Sequence, residues 1–364
     1  MGRAFCPKKV YWRRTTGAGK CCRKTYTTMT MKRVGERLLP SIAYGDAMGL
    51  PTETMSASEI AGRYGRLDHL IPPLHNPYYP GNFPAGTTSD DTQLSVAVAE
   101  GLLAADGFDI DAQAEAHLSA YHAITKTKNY KGEWSVRGWG GSTTTSMERM
   151  AAGMSPLESG EPEGAGNGIL MKMAPLVYWQ VARQIDEPTR RQQYDELTTM
   201  THDSEIARAC TRLHGEVTHW LLEHPGASLD AFRTKALDVL ASEPNADPKG
   251  RIERAMRFPV TSLTQLVGRY ATGHANGHYG FFVPSTVAMT YDVLVAARGD
   301  YTTVVNYAVN LGGDTDSIAS IAGTMANAHA SGEFVTPTGF EQVQDYERLT
   351  RLSHEFAQRA LQNS

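Results

Sequence analysis

Cysteine is scarce in this chain: four occur among 364 residues, and three of them, Cys6, Cys21 and Cys22, fall within the first 22. Cys210 stands alone in the rest, with no CxxC pair and no disulfide framework, so a reducing, cytoplasmic setting is expected. Long apolar runs are also missing. No uncharged stretch reaches the ~18 residues expected of a membrane span, and no membrane contact is expected. Acid is missing from residues 1–33, which hold ten Lys or Arg, so the body carries 25 basic against 39 acidic residues, a balance of -14. An acidic body argues against nonspecific nucleic-acid binding through the main domain.

The basic arm, residues 1–32, is read first as a disordered extension, with Met29 or Met31 as an alternative start. A transit peptide is the second reading, disfavoured by the lack of serine and of an apolar face. A basic arm for nucleic acid or an anionic surface is the third. Gly17-Ala18-Gly19-Lys20 is not a phosphate loop, because that pattern needs Gly at 14 and Ser or Thr at 21, where the chain has Arg14 and Cys21.

Alternating β-rich runs are nearly absent beyond the arm, and helical periodicity prevails. Leu94, Val98 and Leu102 recur at i, i+4, i+8, and Ile318, Ile321, Ala322 and Met325 at i, i+3, i+4, i+7. Further helices are expected over 111–124, 142–152, 205–222, 228–241, 284–297, 301–309 and 341–361. The small residues Ala319, Ser320, Ala322, Gly323, Ala326 and Ala328 point to a helix packed closely on several sides. Residues 33–364 therefore read as one all-α globule, expected to be a monomer. Residues 70–91 and 128–170 break the pattern, yet Tyr78, Tyr79, Trp134 and Trp139 punctuate them, as in functional loops rather than linkers. Residues 241–252 read as an exposed turn. His274 and His278 lie in a glycine-rich stretch, with little of a zinc site about them.

Two acidic clusters dominate: Ser89-Asp90-Asp91-Thr92 and Asp314-Thr315-Asp316-Ser317. Each precedes an apolar helical run, where Ser, Thr and Asp are also the ordinary capping residues. Two clusters of matching composition exceed what caps need. Brought together, four carboxylates repel one another unless a cation or shared protons intervene. Their oxygens suit Mg²⁺, Mn²⁺ or Ca²⁺, and a pair of ions so held can position a water nucleophile. Metal-assisted hydrolysis is the chemistry this implies, with the substrate open. Gly138-Trp139-Gly140-Gly141-Ser142-Thr143 offers amides and hydroxyls at a helix start, either an anion cradle or an ordinary glycine-rich turn.

Five segments resemble, in order, the motifs of the ADP-ribosylglycohydrolase family. They are Gly45-Asp46-Ala47-Met48-Gly49-Leu50-Pro51-Thr52-Glu53, Ser89-Asp90-Asp91-Thr92-Gln93, the run from Gly166-Asn167-Gly168 to Ala174-Pro175-Leu176, Thr201-His202, and Leu311-Gly312-Gly313-Asp314-Thr315-Asp316-Ser317-Ile318. The order and spacing agree across residues 33–361.

The resemblance implies a compact all-α fold around two Mg²⁺ ions, with Mn²⁺ as a substitute, and cleavage at C1″ of ADP-ribose to free it from an ADP-ribosylated acceptor. By position, Ser89, Asp90, Asp91, Asp314, Asp316 and Ser317 would be the metal ligands, the serines replacing the usual threonines. Glu53 matches the family's mobile glutamate and would deliver a proton to the leaving group, while Asp90 or Asp316 would hold or deprotonate the water. Asn167 would contact the nucleotide or simply occupy a positive-φ turn position, His202 would contact ribose or phosphate, and Phe281 would stack on adenine or serve the core. Gly138, Gly140 and Ser142, read from their own chemistry, are the candidates for the diphosphate. Lys172 stands where the family usually has Arg, and Pro284 where it has Glu. A non-hydrolytic or structural module of the same fold and a two-metal phosphoesterase remain as rivals. The acceptor (arginine, serine, a nucleic-acid base or a metabolite) stays open.

Overall fold

Helix starts in this chain are marked by short polar side chains that take up otherwise unpartnered backbone N–H groups. Asp109, Asp186, Ser204, Ser228, Ser262 and Asp300 each accept the N–H three residues on, and Ser56 with Glu59 closes a reciprocal capping box. Each such cap contributes about 1 kcal/mol.

The computed structural model describes residues 28–124, 126–128, 134–136, 138–271 and 278–362. The basic arm before residue 28 and His274 lie outside them. After a helical stretch over residues 28–36 come α1 (Leu38–Gly49), α2 (Ala57–Tyr64), α3 (Asp90–Ala105) and α4 (Ile110–Ala123). A short antiparallel ribbon follows, β1 (Lys126–Lys128) against β2 (Trp134–Val136), with Thr127 opposite Ser135. Then come α5 (Gly141–Ala151), α6 (Ala174–Ala182), α7 (Glu187–Thr199), α8 (Glu205–Glu223), α9 (Leu229–Ser242) and α10 (Arg251–Arg257). The chain closes with α11 (Leu263–Tyr270), α12 (Val283–Ala296), α13 (Tyr301–Leu311), α14 (Thr315–His329) and α15 (Tyr346–Leu361). The all-α architecture is as expected, the ribbon being its one paired-strand element among the described residues.

The centre of the single domain is α1 packed along α14, with α3 and α13 beside them. Every residue of α1 is buried, and so is every α14 residue from Thr315 to Ala328. That close approach needs small residues. A Cβ at Gly45 would stand 2.6 Å from the Ala319 carbonyl oxygen, and one at Gly49 would collide with the Asp316 backbone. The two helices therefore meet at the position that carries an acidic side chain.

Two boundaries and one exposed segment differ from expectation. Residues 28–36 are helical with Met31 and Val34 buried, so a boundary at 33 would fall inside a helix. The last helix begins at Tyr346 rather than 341, because Asp345 takes a left-handed conformation (φ 58°) after the short turn Phe340–Gln342. The 241–252 connection is not wholly exposed: Ala246 is buried, and the buried Glu243 accepts from Arg212.

Candidate active site

Helices α3 and α14 begin at the two acidic clusters, and their first turns meet. Ser317 Oγ donates to Asp91 Oδ2 at 3.2 Å across 226 residues of chain, and Ser320 Oγ donates to Asp91 Oδ1 at 2.5 Å. Ser89 Oγ reaches the same Asp91 Oδ2 at 3.3 Å. Glu53, at the end of the turn Leu50–Thr52 that follows α1, joins Asp314 and Asp316, and each offers a carboxylate oxygen within 4.8 Å of the others. Asp90, next to Asp91 on α3, is buried but stands outside that trio.

Capping accounts for only half of this. Ser89 Oγ accepts the Asp91 N–H at 3.2 Å, as a cap should. Asp314 holds the equivalent place before α14 but makes no side-chain cap bond. Its Oδ2 accepts instead from Asn167 Nδ2 at 2.6 Å. Asp316 Oδ1 is buried with no hydrogen-bond partner among the described residues.

The electrostatics follow from that crowding. Burial, then the charges of Glu53, Asp314, Asp91 and Asp46, raise the Asp316 carboxyl well above the usual carboxylate range. Burial first, and then Asp314, do the same to Glu53. Asp90 is raised by burial and by Asp91, and Asp91 by burial and Asp46. Like charges in a dry site must be protonated or joined by a cation. The donors are all carboxylate and hydroxyl oxygens, and one of them is orphaned, which fits a hard divalent cation.

Supporting residues hold this set in place. Asp46 on α1 accepts from Ser89 N at 2.9 Å and from Thr92 Oγ1 at 2.6 Å. Asn76 Nδ2 donates to Glu53 Oε2 and to the Leu50 carbonyl, both at 2.8 Å. Ser320 follows Asp316 by four residues, the spacing that puts two side chains on one helix face. That spacing could have found it. Asn76 sits in an irregular stretch and carries no such signal.

The remaining expected residues surround the cluster at varied distances. Asn167 belongs to a turn whose N–H bonds the Phe281 carbonyl at 3.0 Å, joining the Gly166 and Phe281 segments. A Cβ at Gly168 would stand 3.2 Å from His202 Cε1 and 3.4 Å from Thr143 Oγ1, so this turn, His202 and the start of α5 are neighbours. Gly140 is the N-cap residue of α5, and Gly138 (φ 79°) packs on Tyr79. No hydrogen bond among the described residues joins Gly138, Gly140 or Ser142 to the carboxylates. Their link runs through Trp139 Nε1, which donates to Gln93 Oε1 at 2.8 Å, two residues past Asp91. Phe281 is half-buried and lines a cavity of about 440 Å³ with Arg251, Arg254 and Phe282. Pro284 lies in the first turn of α12, where its missing N–H costs nothing. No described helix is long and apolar enough to cross a membrane.

Known proteins resemble this chain in sequence and in fold. The family model for ADP-ribosylglycohydrolase matches residues 37–364. An uncharacterized protein of Archaeoglobus fulgidus is 26% identical over 325 residues, spanning 86% of this chain and 92% of that one. The ADP-ribosylarginine hydrolase Tri1 of Pseudomonas putida is 23% identical, over 78% of this chain and 69% of its own. A solved structure of an ADP-ribosylglycohydrolase-related protein complex superposes with a TM-score of 0.65 at 23% identity, covering 91% of this chain and 99% of that one. With a match that runs from the core helix α1 to the last residue and takes in both acidic clusters, the chain belongs to the ADP-ribosylglycohydrolase family.

Proposed function

We propose that this protein hydrolyses the C1″ glycosidic bond between ADP-ribose and an acceptor, with two Mg²⁺ ions bound at the carboxylate cluster and Mn²⁺ as a substitute. The observation that carries this reading is Asp316: a buried carboxylate oxygen without a partner among the described residues, beside two more carboxylates. Ser89, Asp90, Asp91, Asp314, Asp316 and Ser317 would hold the ions. Bound there, such ions supply positive charge that orients ribose hydroxyls and acidifies a water.

The chain's own residues do the rest. Asn76 occupies Glu53 Oε2, so a proton held by this raised carboxyl sits on Oε1. Glu53 passes that proton to the departing acceptor atom, and Asp90 or Asp316 takes the proton of the attacking water. Asn167 holds Asp314 in place while its turn lies against the nucleotide. Gly138, Gly140 and Ser142, with the first-turn amides of α5, receive the diphosphate. Phe281 stacks on adenine beside Arg251 and Arg254. We expect a cytoplasmic monomer.

The name of the Pseudomonas relative makes an ADP-ribosylated arginine side chain the first acceptor to try. The test is to incubate the protein and Mg²⁺ with ADP-ribosylated arginine, serine, nucleic-acid base and O-acetyl-ADP-ribose, and to weigh the products by mass spectrometry. Free ADP-ribose is expected, abolished by EDTA and in Asp316→Ala. AMP as product would mean a phosphoesterase. Tight ADP-ribose binding without release from any acceptor would mean a binding module.

A further inference from the structure

Lys172 is fully buried, and it stands against His117 and Thr201. Its surroundings can be read as a proton inventory. His117 Nδ1 lies 2.7 Å from the Gln113 carbonyl oxygen. A carbonyl only accepts, so Nδ1 carries the His117 proton and Nε2 is left as an acceptor. Lys172 Nζ, 3.3 Å away, donates to that Nε2, and it donates again to Thr201 Oγ1 at 3.4 Å. The buried Thr201 hydroxyl accepts from Lys172 and has no other acceptor among the described residues, so its own proton goes to His202 Nδ1 at 2.8 Å. Burial first, with Lys172 second, holds the His202 imidazole down at about 3, so the ring is neutral and carries one proton. That proton is on Nε2, the atom nearest Gly166, where a Cβ would stand 3.6 Å away.

We propose that His117, Lys172 and Thr201 form a positioning relay that fixes His202 as the Nε2–H tautomer, making it a hydrogen-bond donor toward the Gly166–Gly168 turn. The ligand oxygen it meets, a ribose hydroxyl or phosphate, rests on the function proposed above. Lys172 and Thr201 touch no ligand themselves and act through the ring. An arginine at 172 brings a wider planar fork rather than a point donor, so the relay is built for lysine.

The tautomer can be read directly by nitrogen NMR of the full-length protein labelled with ¹⁵N-histidine, in the absence of any ligand. His202 is expected to show a protonated Nε2 and an unprotonated Nδ1. Thr201→Val removes the donor to Nδ1 and should mix or invert the tautomers, while Thr201→Ser should restore the wild-type signature. Lys172→Met, which keeps the stem but no donor, should also disturb it. ADP-ribose affinity should fall about tenfold in Thr201→Val, the scale of one hydrogen bond, and recover in Thr201→Ser. A wild-type His202 protonated on Nδ1, or one whose tautomer and affinity are unmoved by Thr201→Val, would overturn the relay. Because the signature needs no substrate and no turnover, failure of the hydrolysis proposed above would leave it standing, and the two ideas fail separately.

Discussion

The carboxylate of Asp46 receives the backbone N–H of Ser89 on both of its oxygens, at 3.0 and 2.9 Å. One of those oxygens also takes the Thr92 N–H at 3.1 Å. A residue of α1 thus caps α3 from across the fold. Because α1 is locked onto α14 at Gly45 and Gly49, the same helix sets the angle at which both acidic clusters face each other.

Asp46→Ala should therefore cost more than a lost surface cap. It leaves the Ser89 and Thr92 amides unpartnered in a dry site, at about 1–3 kcal/mol for each orphaned donor. The midpoint of urea unfolding should fall accordingly, and divalent-cation affinity should fall with it. An unshifted midpoint would show that Asp46 does not carry the cap.

Ser320→Ala removes the donor to Asp91 Oδ1 while leaving every proposed ligand in place. Residues that orient metal-binding carboxylates typically matter by about 10–100-fold in affinity. Titration calorimetry with Mg²⁺ or Mn²⁺ should show a loss of that size in a normally folded variant. Full affinity in Ser320→Ala would mean that Asp91 needs no orienting partner.

The metal-free protein should lose stability as pH rises. Burial pushes the Asp46 carboxyl up to about 6 from 3.8, and Glu53, Asp90, Asp91 and Asp316 are raised as well, by burial and by one another. The native state then holds protons that the unfolded chain has released, so this stability is fully present below 3.8 and is lost as pH climbs through about 6 and beyond. A cation favours the deprotonated forms of the proposed ligands Asp90, Asp91 and Asp316. Melting temperatures measured in EDTA and in Mg²⁺ from pH ~4.5 to ~8 should diverge steadily as pH rises. A gap that stays constant with pH would contradict this.

Glu53→Gln keeps an oxygen for Asn76 but cannot hand over a proton. Turnover should drop by on the order of 10²–10⁴, as for other lost general acids, while ADP-ribose binding changes little. Single-turnover rates with calorimetry separate the two effects. Unchanged turnover would move the acid role to another group.

The four clustered aspartates were legible because their composition exceeds what helix caps require. The family motifs then tied them to Glu53 and Asn167. Helix α1 was not legible by periodicity, since a helix buried on every side has no polar face to set the period. Asp46 lay inside a recognised motif, yet only the fold shows that its oxygens reach Ser89 and Thr92. Lys172 was visible as a departure from the family. Its partners His117 and Thr201 come from other segments, 55 and 29 residues away, a relation no local pattern can carry. Ala246 is one small core side chain among polar neighbours, so the segment 241–252 reads as exposed.

Thr52 Oγ1 and Thr315 Oγ1 meet at 3.1 Å although 263 residues separate them. At roughly 5–20 residues synthesised per second, α1 leaves the ribosome on the order of tens of seconds before α14 exists to cover it. For that interval a helix with no polar face is solvent-exposed or sheltered by something else, and the reaction centre cannot begin to form. Such long-range closure also slows folding. Chains halted near residue 300 should accordingly be bound by chaperones or insoluble, whereas chains released past α14 should not.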